Sequence, residues 1–304
     1  MNTAVRAVLL CLALAGCVDS TAPQAGATPK GEGGFVERNG HGLDYHVYVP
    51  GSYTGAQVVP LVVFLHGCNG DAMEQATVTS GWSAQAEAAG FIAVFPQAPP
   101  PLACWWFTNP VANSQRDGGE PAAIAGITQD VIAEWNIDRK RVWLDGYSAG
   151  GTLTAAIGAT WPDLYAAIGM VEGCPYMCTD ATGELAYRAM GEHARPLPVF
   201  MVSGTAGGYV VGGLVNLQQW LSTDDLADDG EFNGSVARSA ASSEQGTSGR
   251  GLPYTVDRYN GSSGRVLIEQ WVVQGMTHEY PEPGGDLPDA TAGAWAFFQQ
   301  HPFE

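Results

Sequence analysis

The feature that most constrains the fold is the segment 141–151, which reads RVWLDGYSAGG. A short run of β-forming residues at 142–144 is followed by Ser148 in a GxSxG pattern, and then by a segment rich in Ala and Leu at 152–160. A nucleophile elbow requires this order of strand, glycine-flanked serine and helix, because the glycines leave room for a strained turn that exposes the hydroxyl. We therefore predict that Ser148 is a catalytic nucleophile rather than a small residue in an ordinary turn.

Composition indicates a globular chain with an acidic surface. The 304 residues are 45% hydrophobic and 14% charged, which is enough for one large core, and a single α/β domain can absorb this length. The formal net charge is −18. Such a surface repels phosphate backbones, so we expect no nucleic-acid partner.

The first residues resemble an export signal. Arg6 is followed by an apolar run at 7–15, which is too short to span a bilayer but suits the hydrophobic region of a signal peptide. The run ends in LAGC at 14–17, which resembles the bacterial lipobox, in which the Cys becomes the lipidated first residue of the mature protein. The residue after Cys17 is Val18 rather than Asp, which for that class implies sorting to the outer membrane.

These features predict three regions along the chain. Residues 1–16 form a signal peptide, residues 17–34 form a lipidated tether rich in Thr, Pro, Ala and Gly, and residues 35–304 form a single catalytic domain. We expect an exported outer-membrane lipoprotein, periplasmic or extracellular, whose only membrane contact is the lipid on Cys17.

Four cysteines remain in the folded part, namely Cys68, Cys104, Cys174 and Cys178. An even number in an oxidising compartment predicts disulfides, and four cysteines permit three connectivities. The short spacing of Cys174 and Cys178 closes a tight loop, which leaves Cys68 with Cys104. No CxxC pair is present, so we expect no metal site, and no motif implies a cofactor.

The hydrophobic pattern predicts strands that alternate with helices, and hence a mostly parallel sheet of about eight strands with helices on both faces. The predicted strands are an antiparallel pair within 36–49, then 60–65, 91–95, the elbow strand, 166–171, 199–203 and 266–273. The predicted helices are 73–89, 120–136, 152–160 and 290–300. Segment 224–251 has no apolar period and is expected to be a solvated loop or an insertion, with a lid as the alternative.

A serine nucleophile needs a base and oxyanion donors. In an elbow topology the base follows the last strand, where His278 lies just beyond Val273. The oxyanion donors are the N–H after the nucleophile, here Ala149, and an N–H from the loop after an earlier strand, here Cys68. We expect His66 to shape that loop by hydrogen bonding.

The triad acid is the least obvious residue. Its usual place is after the penultimate strand, where residues 203–208 read SGTAGG and carry no carboxylate. The preceding predicted strand ends at Glu172, and adjacent strands lie only about 4.8 Å apart, so this longer side chain could still reach the histidine. Glu172 is therefore the first candidate. Asp224 or Asp225 is the second, and a missing acid is the third.

Three consecutive aromatic residues, Trp105, Trp106 and Phe107, lie on a long irregular loop. Three such side chains in a row cannot all point into a core. We expect Trp105 or Trp106 to line a substrate groove.

Several segments in order along the chain resemble the extracellular poly(3-hydroxybutyrate) depolymerase and feruloyl esterase-like branch of the α/β-hydrolases. They are PLVVFLHGC at 60–68, GFIAVFPQ at 90–97, CWWF at 104–107, RDGGEPA at 116–122, RVWLDGYSAGG at 141–151 and WPDLYAAIG at 161–169. The resemblance implies an α/β-hydrolase fold with Ser148 as nucleophile, His278 as base and oxyanion donors at Cys68 and Ala149. It also implies an Asp where this chain has Gly207, and commonly a Ser where it has Glu172, which suggests that the acid has moved to the neighbouring strand.

The resulting expectation is an exported serine esterase that acts through an acyl-enzyme on carboxylic esters of a polyester or a plant phenolic. One alternative is a hydrolase of oxidised poly(vinyl alcohol) that cleaves a β-diketone with the same residues. A second is a non-catalytic binding protein on a hydrolase scaffold, which the absent Asp at Gly207 motivates. The oligomeric state stays open.

Overall fold

One ten-stranded sheet organises the chain. The computed structural model describes residues 31, 33–105, 111–206 and 210–304. The strands are β1 (Gly34–Gly40), β2 (Leu43–Val49), β3 (Val59–Leu65), β4 (Ile92–Pro96), β5 (Ile137–Tyr147), β6 (Ala167–Val171), β7 (Val199–Gly204), β8 (Ser242–Thr247), β9 (Pro253–Asn260) and β10 (Val266–Val273). The helices are α1 (Ala72–Glu74), α2 (Trp82–Ala89), α3 (Gly119–Glu134), α4 (Ala149–Thr160), α5 (Glu184–Met190), α6 (Val210–Asp229) and α7 (Ala290–Gln299). Shorter turns are a π-helix at Gln75–Thr79 and 3-10 turns at Ala112–Ser114, Tyr176–Cys178 and Gly191–His193.

The sheet is parallel in the middle and antiparallel at both edges. Its order is β1-β2-β4-β3-β5-β6-β7-β10-β9-β8, and the strands from β4 to β10 in that order run parallel. The pairs at the edges, β1 with β2, β2 with β4, β10 with β9 and β9 with β8, are antiparallel. The predicted mostly parallel sheet is confirmed, with two strands more than expected.

The two additional strands are β8, which corrects the expectation for segment 224–251, and β9, which follows that segment. The start of that segment continues α6 to Asp229, and its end forms β8. The sequence of β8 is SSEQGT, and five of its six residues are exposed, so it carries no alternation of apolar and polar residues. Periodicity alone could not find this strand, because its pairing with β9 depends on backbone hydrogen bonds.

The central strands are buried on both faces, as the unbroken apolar run at 60–65 predicts. In β3, Leu61, Val63 and Leu65 face one core cluster, and Val62 and Phe64 face the other. Helices α3 to α6 contribute to the first cluster, and helices α2 and α7 contribute to the second. Helices on both faces are therefore confirmed.

The single helix expected at 73–89 is instead broken. Helix α1 passes into the π-helix, and α2 begins after Gly81, which has a φ of 64°. A Cβ at Gly81 would lie 2.8 Å from Cγ of Pro283. Both the left-handed backbone and this close contact favour glycine at position 81. Because an α-helix needs a negative φ at every residue, the left-handed conformation of Gly81 interrupts the helix.

The predicted signal peptide at 1–16, the lipidation site Cys17 and most of the predicted tether lie outside the described residues. Within the part of the chain that the structure describes, no helix has both the length and the hydropathy needed to cross a bilayer.

The parallel strands place the predicted site residues at one edge of the sheet. Strands β3, β5, β6, β7 and β10 all end at this carboxyl edge, and Cys68, Ser148, Glu172 and His278 follow the ends of β3, β5, β6 and β10. Ligand sites of open α/β sheets lie at this edge.

A buried carboxyl group lies beneath the elbow. Asp145 in β5 is completely buried, and its Oδ2 accepts a hydrogen bond of 2.8 Å from Nε1 of Trp82. Burial raises the pKa of Asp145 to about 7, well above the usual value for an aspartate, because an ionised carboxylate loses its hydration there.

Asp145→Asn tests this pKa. Since the folded pKa is raised, the stability that the neutral carboxyl contributes is complete below about pH 4 and is lost as the pH rises toward 7. Relative to the variant, the wild-type free energy of unfolding should fall by about 1.4 kcal/mol per pH unit in that window. Urea unfolding at several pH values measures this difference. The exposed Asp117→Asn variant is the matched control for loss of one carboxylate. A pH-independent difference between the wild type and Asp145→Asn would contradict the assignment.

Candidate active site

The turn around Ser148 has the geometry of a nucleophile elbow. Strand β5 ends at Tyr147, Ser148 has a φ of 57° and a ψ of −118°, and α4 begins at Ala149. A Cβ at Gly146 would lie 2.5 Å from the backbone of Gly150. The glycine at 146 is therefore required by sterics, and the serine holds a backbone conformation that side chains rarely adopt.

Three side chains predicted from sequence meet at the elbow. Oγ of Ser148 lies 2.7 Å from Nε2 of His278, and Nδ1 of the same ring lies 3.2 Å from Oε2 of Glu172. A carboxylate only accepts hydrogen bonds, so Nδ1 carries the proton in this arrangement and Nε2 is left to accept from the serine hydroxyl. The order of contacts is serine, histidine, carboxylate.

The local backbone directs Glu172 toward the histidine. Its φ of 53° turns the chain at the end of β6, and its N–H donates a hydrogen bond of 2.9 Å to the carbonyl of Val202 in β7. The side chain is 5% exposed, and Oε1 accepts a short hydrogen bond from the N–H of Gly204. Glu172 thus crosses the end of β7 to reach the loop after β10.

Strand β7 leaves space for this crossing because it ends in glycine. A Cβ at Gly204 would lie 2.2 Å from the carbonyl oxygen of Met276, in the loop that carries His278. Gly207, where the resemblance implies an Asp, lies outside the described residues.

The other two candidate acids are engaged elsewhere. Oδ1 of Asp224 accepts a hydrogen bond of 2.8 Å from the N–H of Leu197, and burial raises the pKa of this carboxyl well above its usual value. Asp225 accepts hydrogen bonds from the Ser235 hydroxyl and from the N–H groups of Gly234 and Val236. Both carboxylates of α6 therefore fix neighbouring loops.

The loop after β3 packs directly on the elbow. A Cβ at Gly67 would lie 3.0 Å from the ring of Tyr147 and 3.3 Å from Cβ of Ser148, and one at Gly150 would lie 2.0 Å from the carbonyl oxygen of Leu65. Ala149 is the first residue of α4, where an N–H has no acceptor within its own helix. The loop that carries Cys68 and the amide of Ala149 are thus neighbours of the Ser148 side chain.

His66 holds this loop through both ring nitrogens. Nδ1 lies 2.6 Å from the carbonyl oxygen of Gly67, and Nε2 accepts a hydrogen bond of 3.0 Å from the N–H of Ala98. The first contact places the proton on Nδ1 and the second needs Nε2 unprotonated, so the ring is neutral. Burial also lowers the pKa of His66, which favours the neutral ring. Both ring nitrogens are therefore engaged within the loop, and no proton is left to transfer to a substrate. This agrees with the expectation that His66 shapes the loop by hydrogen bonding.

The cysteines follow the expected pairing only in part. Cys68 and Cys104 form a disulfide, and the N–H of the adjacent Asn69 donates to the carbonyl of Ala103, so the two loops are joined twice. Cys174 and Cys178 are free thiols, which corrects the disulfide expected from their spacing. The spacing brings the two thiols together, but it does not determine their oxidation state.

The aromatic loop also differs from the expectation. Trp105 is completely buried, with its ring centroid 5.2 Å from that of His66, so it supports the loop after β3 and offers no surface to a substrate. Trp106 and Phe107 lie outside the described residues.

Two neighbours of the site were not anticipated. The hydroxyl of Tyr147 donates a hydrogen bond of 3.2 Å to the backbone carbonyl of His278, and the two rings stack with centroids 5.5 Å apart. The Thr152 hydroxyl donates to the carbonyl of Ser148 and accepts from the N–H of Cys174. Tyr147 occupies a variable position of GxSxG, and Thr152 lies one turn into α4, so the motif gives no signal for either.

The fold and the site define an α/β-hydrolase. The structure is similar to the acetyl xylan esterase from Aspergillus awamori, with a TM-score of 0.69 and 18% identity over 88% of this chain and 99% of that one. A thermostable esterase is similar with a TM-score of 0.54 and 17% identity, over 88% of this chain and 63% of that one. At these identities the likeness establishes the fold, and the predicted α/β-hydrolase architecture is confirmed.

The family follows from sequence. The esterase PHB depolymerase model matches residues 43–224, and the chain belongs to that family. It is 30% identical over 254 residues to poly(3-hydroxyalkanoate) depolymerase C of Paucimonas lemoignei, which covers 78% of this chain and 59% of the relative. It is 35% identical over 141 residues to a probable acetylxylan esterase A of Aspergillus fumigatus, which covers 46% of this chain and 37% of that relative. The chain therefore spans less than two thirds of the length of these curated relatives.

Glu172→Gln tests the role of the carboxylate. The amide keeps the size of the side chain but removes the charge that would stabilise a protonated His278, so kcat for an ester substrate should fall by about 10³- to 10⁴-fold, while KM changes little. The matched control is Asp224→Asn, a buried acidic residue that contacts Leu197 and should leave kcat within about threefold. Steady-state kinetics on the folded variants measures both, and wild-type kcat in Glu172→Gln would rule out the assignment.

Proposed function

We propose that the chain is a serine esterase in which Ser148 is the nucleophile, His278 the general base and Glu172 the acid that orients the base. The observation that carries this proposal is the pair of contacts at His278, 2.7 Å to the Ser148 hydroxyl and 3.2 Å to the Glu172 carboxylate. A hydroxyl becomes a useful nucleophile at neutral pH only when a base is within such reach.

The reaction begins when Ser148 attacks the ester carbonyl and His278 takes the hydroxyl proton at Nε2. The N–H groups of Cys68 and Ala149 hold the oxyanion of the tetrahedral intermediate, and Glu172 stabilises the imidazolium through Nδ1–H. His278 then gives the proton to the departing alcohol, which leaves an acyl-Ser148. Water activated by the same histidine releases the acid.

The substrate class is a carboxylic ester of a polymer. The names of the relatives support this, since they include a poly(3-hydroxyalkanoate) depolymerase, acetylxylan esterases and the feruloyl esterase B of Neurospora crassa. A polyester and an esterified plant polysaccharide both fit these names. The intact hydrogen-bond chain at Ser148 favours catalysis over a purely binding role.

The proposal includes export and anchoring. Residues 1–16 serve as the signal peptide, Cys17 carries the lipid, residues 17–34 form the tether, and residues 35–304 form the catalytic domain at the outer membrane. Strand β1 begins at Gly34, within one residue of the proposed start of the catalytic domain.

The first experiment is hydrolysis of p-nitrophenyl butyrate by the wild type and by Ser148→Ala. We expect turnover by the wild type and a loss of about 10⁴-fold or more in kcat for the variant, because the nucleophile is removed. The control is Ser263→Ala, an exposed serine in the turn before β10, which should retain wild-type kcat. Full activity of Ser148→Ala would refute the assignment of the nucleophile.

Activity on three further esters then separates the substrate classes. Poly(3-hydroxybutyrate) suspension, acetylated xylan and methyl ferulate are compared at equal enzyme concentration, with release of acid as the readout. Hydrolysis of one class at a kcat/KM at least about tenfold above the others identifies the substrate. No hydrolysis of any ester, p-nitrophenyl butyrate included, would overturn the esterase proposal.

A further inference from the structure

A pair of thiols adjoins the candidate active site. Cys174 lies two residues after Glu172 and Cys178 lies four residues further along. Both are free and partly accessible to solvent, and their side chains lie close enough to shift each other's pKa. The esterase mechanism uses neither of them.

The backbone brings the two thiols together before any reaction. Met177 and Cys178 have φ values of 57° and 53°, and the N–H of Cys178 donates a hydrogen bond of 2.7 Å to the carbonyl of Pro175. This turn folds Cys178 back toward Cys174. Left-handed backbone is costly for two consecutive residues with side chains, so the surroundings must hold the turn.

Neighbouring elements provide that support. The N–H of Tyr176 donates to Oε1 of Gln219 at 3.2 Å, and its hydroxyl donates to the carbonyl of Ser114 at 2.7 Å. At the other end of the loop, Nδ2 of Asn216 donates to the carbonyl of Gly173 at 2.7 Å. The dithiol therefore lies on a segment fixed to α6 and to the loop before α3.

The two thiols have different chemical characters. The hydrogen bond from the Cys178 thiol lowers the pKa of Cys174, against the opposite effect of burial. The same hydrogen bond, together with burial, raises the pKa of Cys178. Cys174 is thus the thiol that ionises first and attacks, and Cys178 is the one that attacks second.

We propose that Cys174 and Cys178 form a thiol–disulfide exchange site whose substrate is a low-molecular-weight disulfide of the glutathione type. The site is distinct from the ester chemistry, since Ser148 takes no part in it. The structure shows its reduced form.

The exchange proceeds in two balanced steps. The Cys174 thiolate attacks one sulfur of the disulfide, so that a mixed disulfide forms, the substrate S–S bond breaks and one thiolate leaves with the proton that Cys174 lost. Cys178 then gives up its proton and attacks the Cys174 sulfur, which displaces the second thiolate. Two cysteine thiols are oxidised to one disulfide, and the substrate disulfide is reduced to two thiols.

The short spacing favours reversibility. A disulfide stabilises a fold mainly by closing a loop in the unfolded chain, and the gain grows with loop length. Cys68 and Cys104 are 36 residues apart and are already joined, whereas Cys174 and Cys178 are separated by only three residues. The second pair gains little from loop closure, so its oxidised form is more easily reduced.

The test equilibrates the full chain in mixtures of reduced and oxidised glutathione, approached from both the reduced and the oxidised side. Differential alkylation and peptide mass mapping then report the state of the peptide that carries Cys174 and Cys178. We expect a reversible conversion from two alkylated thiols to an internal disulfide, while Cys68–Cys104 stays closed. Cys178→Ser should accumulate the Cys174–glutathione mixed disulfide, and Cys174→Ser should react at least about tenfold more slowly than Cys178→Ser.

Three results would overturn the proposal. They are two free thiols over the whole range of mixtures, a wild-type chain that stops at the glutathione adduct, and a Cys174–Cys178 disulfide that the reduced mixtures do not open. Ser148→Ala is carried in parallel and should exchange like the wild type. Because the readout is mass and not ester turnover, failure of the esterase proposal and failure of this one are distinguishable.

Discussion

The contact between Glu172 and His278 is the interaction on which the candidate site depends. It joins the end of β6 to the loop after β10, although β7 lies between them in the sheet. The crossing requires a longer side chain than Asp, a left-handed turn at Glu172, and a strand end at Gly204 that contributes only backbone. The contact between Glu172 and His278 therefore depends on the conformation of three strand ends at once.

The same loop connects the acid to the nucleophile through backbone contacts. Thr152 in α4 binds the carbonyl of Ser148 and the N–H of Cys174, and a Cβ at Gly173 would lie 2.6 Å from the backbone of Gly151. A change in the segment after Glu172 is thus expected to reach the start of α4. This is the physical link between the thiol pair and the esterase site, which otherwise use different chemistry.

Much of this architecture could be predicted because it depends on strong local patterns. The unbroken run in β3 and the strand–GxSxG–helix order predicted the buried strands and the position of Ser148, and the topology then placed His278 after the last parallel strand. The choice of Glu172 followed from the lack of a carboxylate at residues 203–208.

The features that the sequence did not predict depend on contacts between residues that are distant along the chain. Strand β8 is polar on both faces, Trp105 is buried by its packing on His66, and Tyr147 occupies a position that the motif leaves free.

The most direct measurement is covalent labelling of Ser148 with a fluorophosphonate, which needs no knowledge of the natural substrate. The wild type should take up one phosphonyl group per chain on the peptide that contains Ser148, because only a serine activated by its histidine reacts readily. In His278→Gln the rate of labelling should fall by at least about 100-fold, while the position of the label is unchanged. A label on another residue, or labelling of Ser148 at the same rate without His278, would contradict the account.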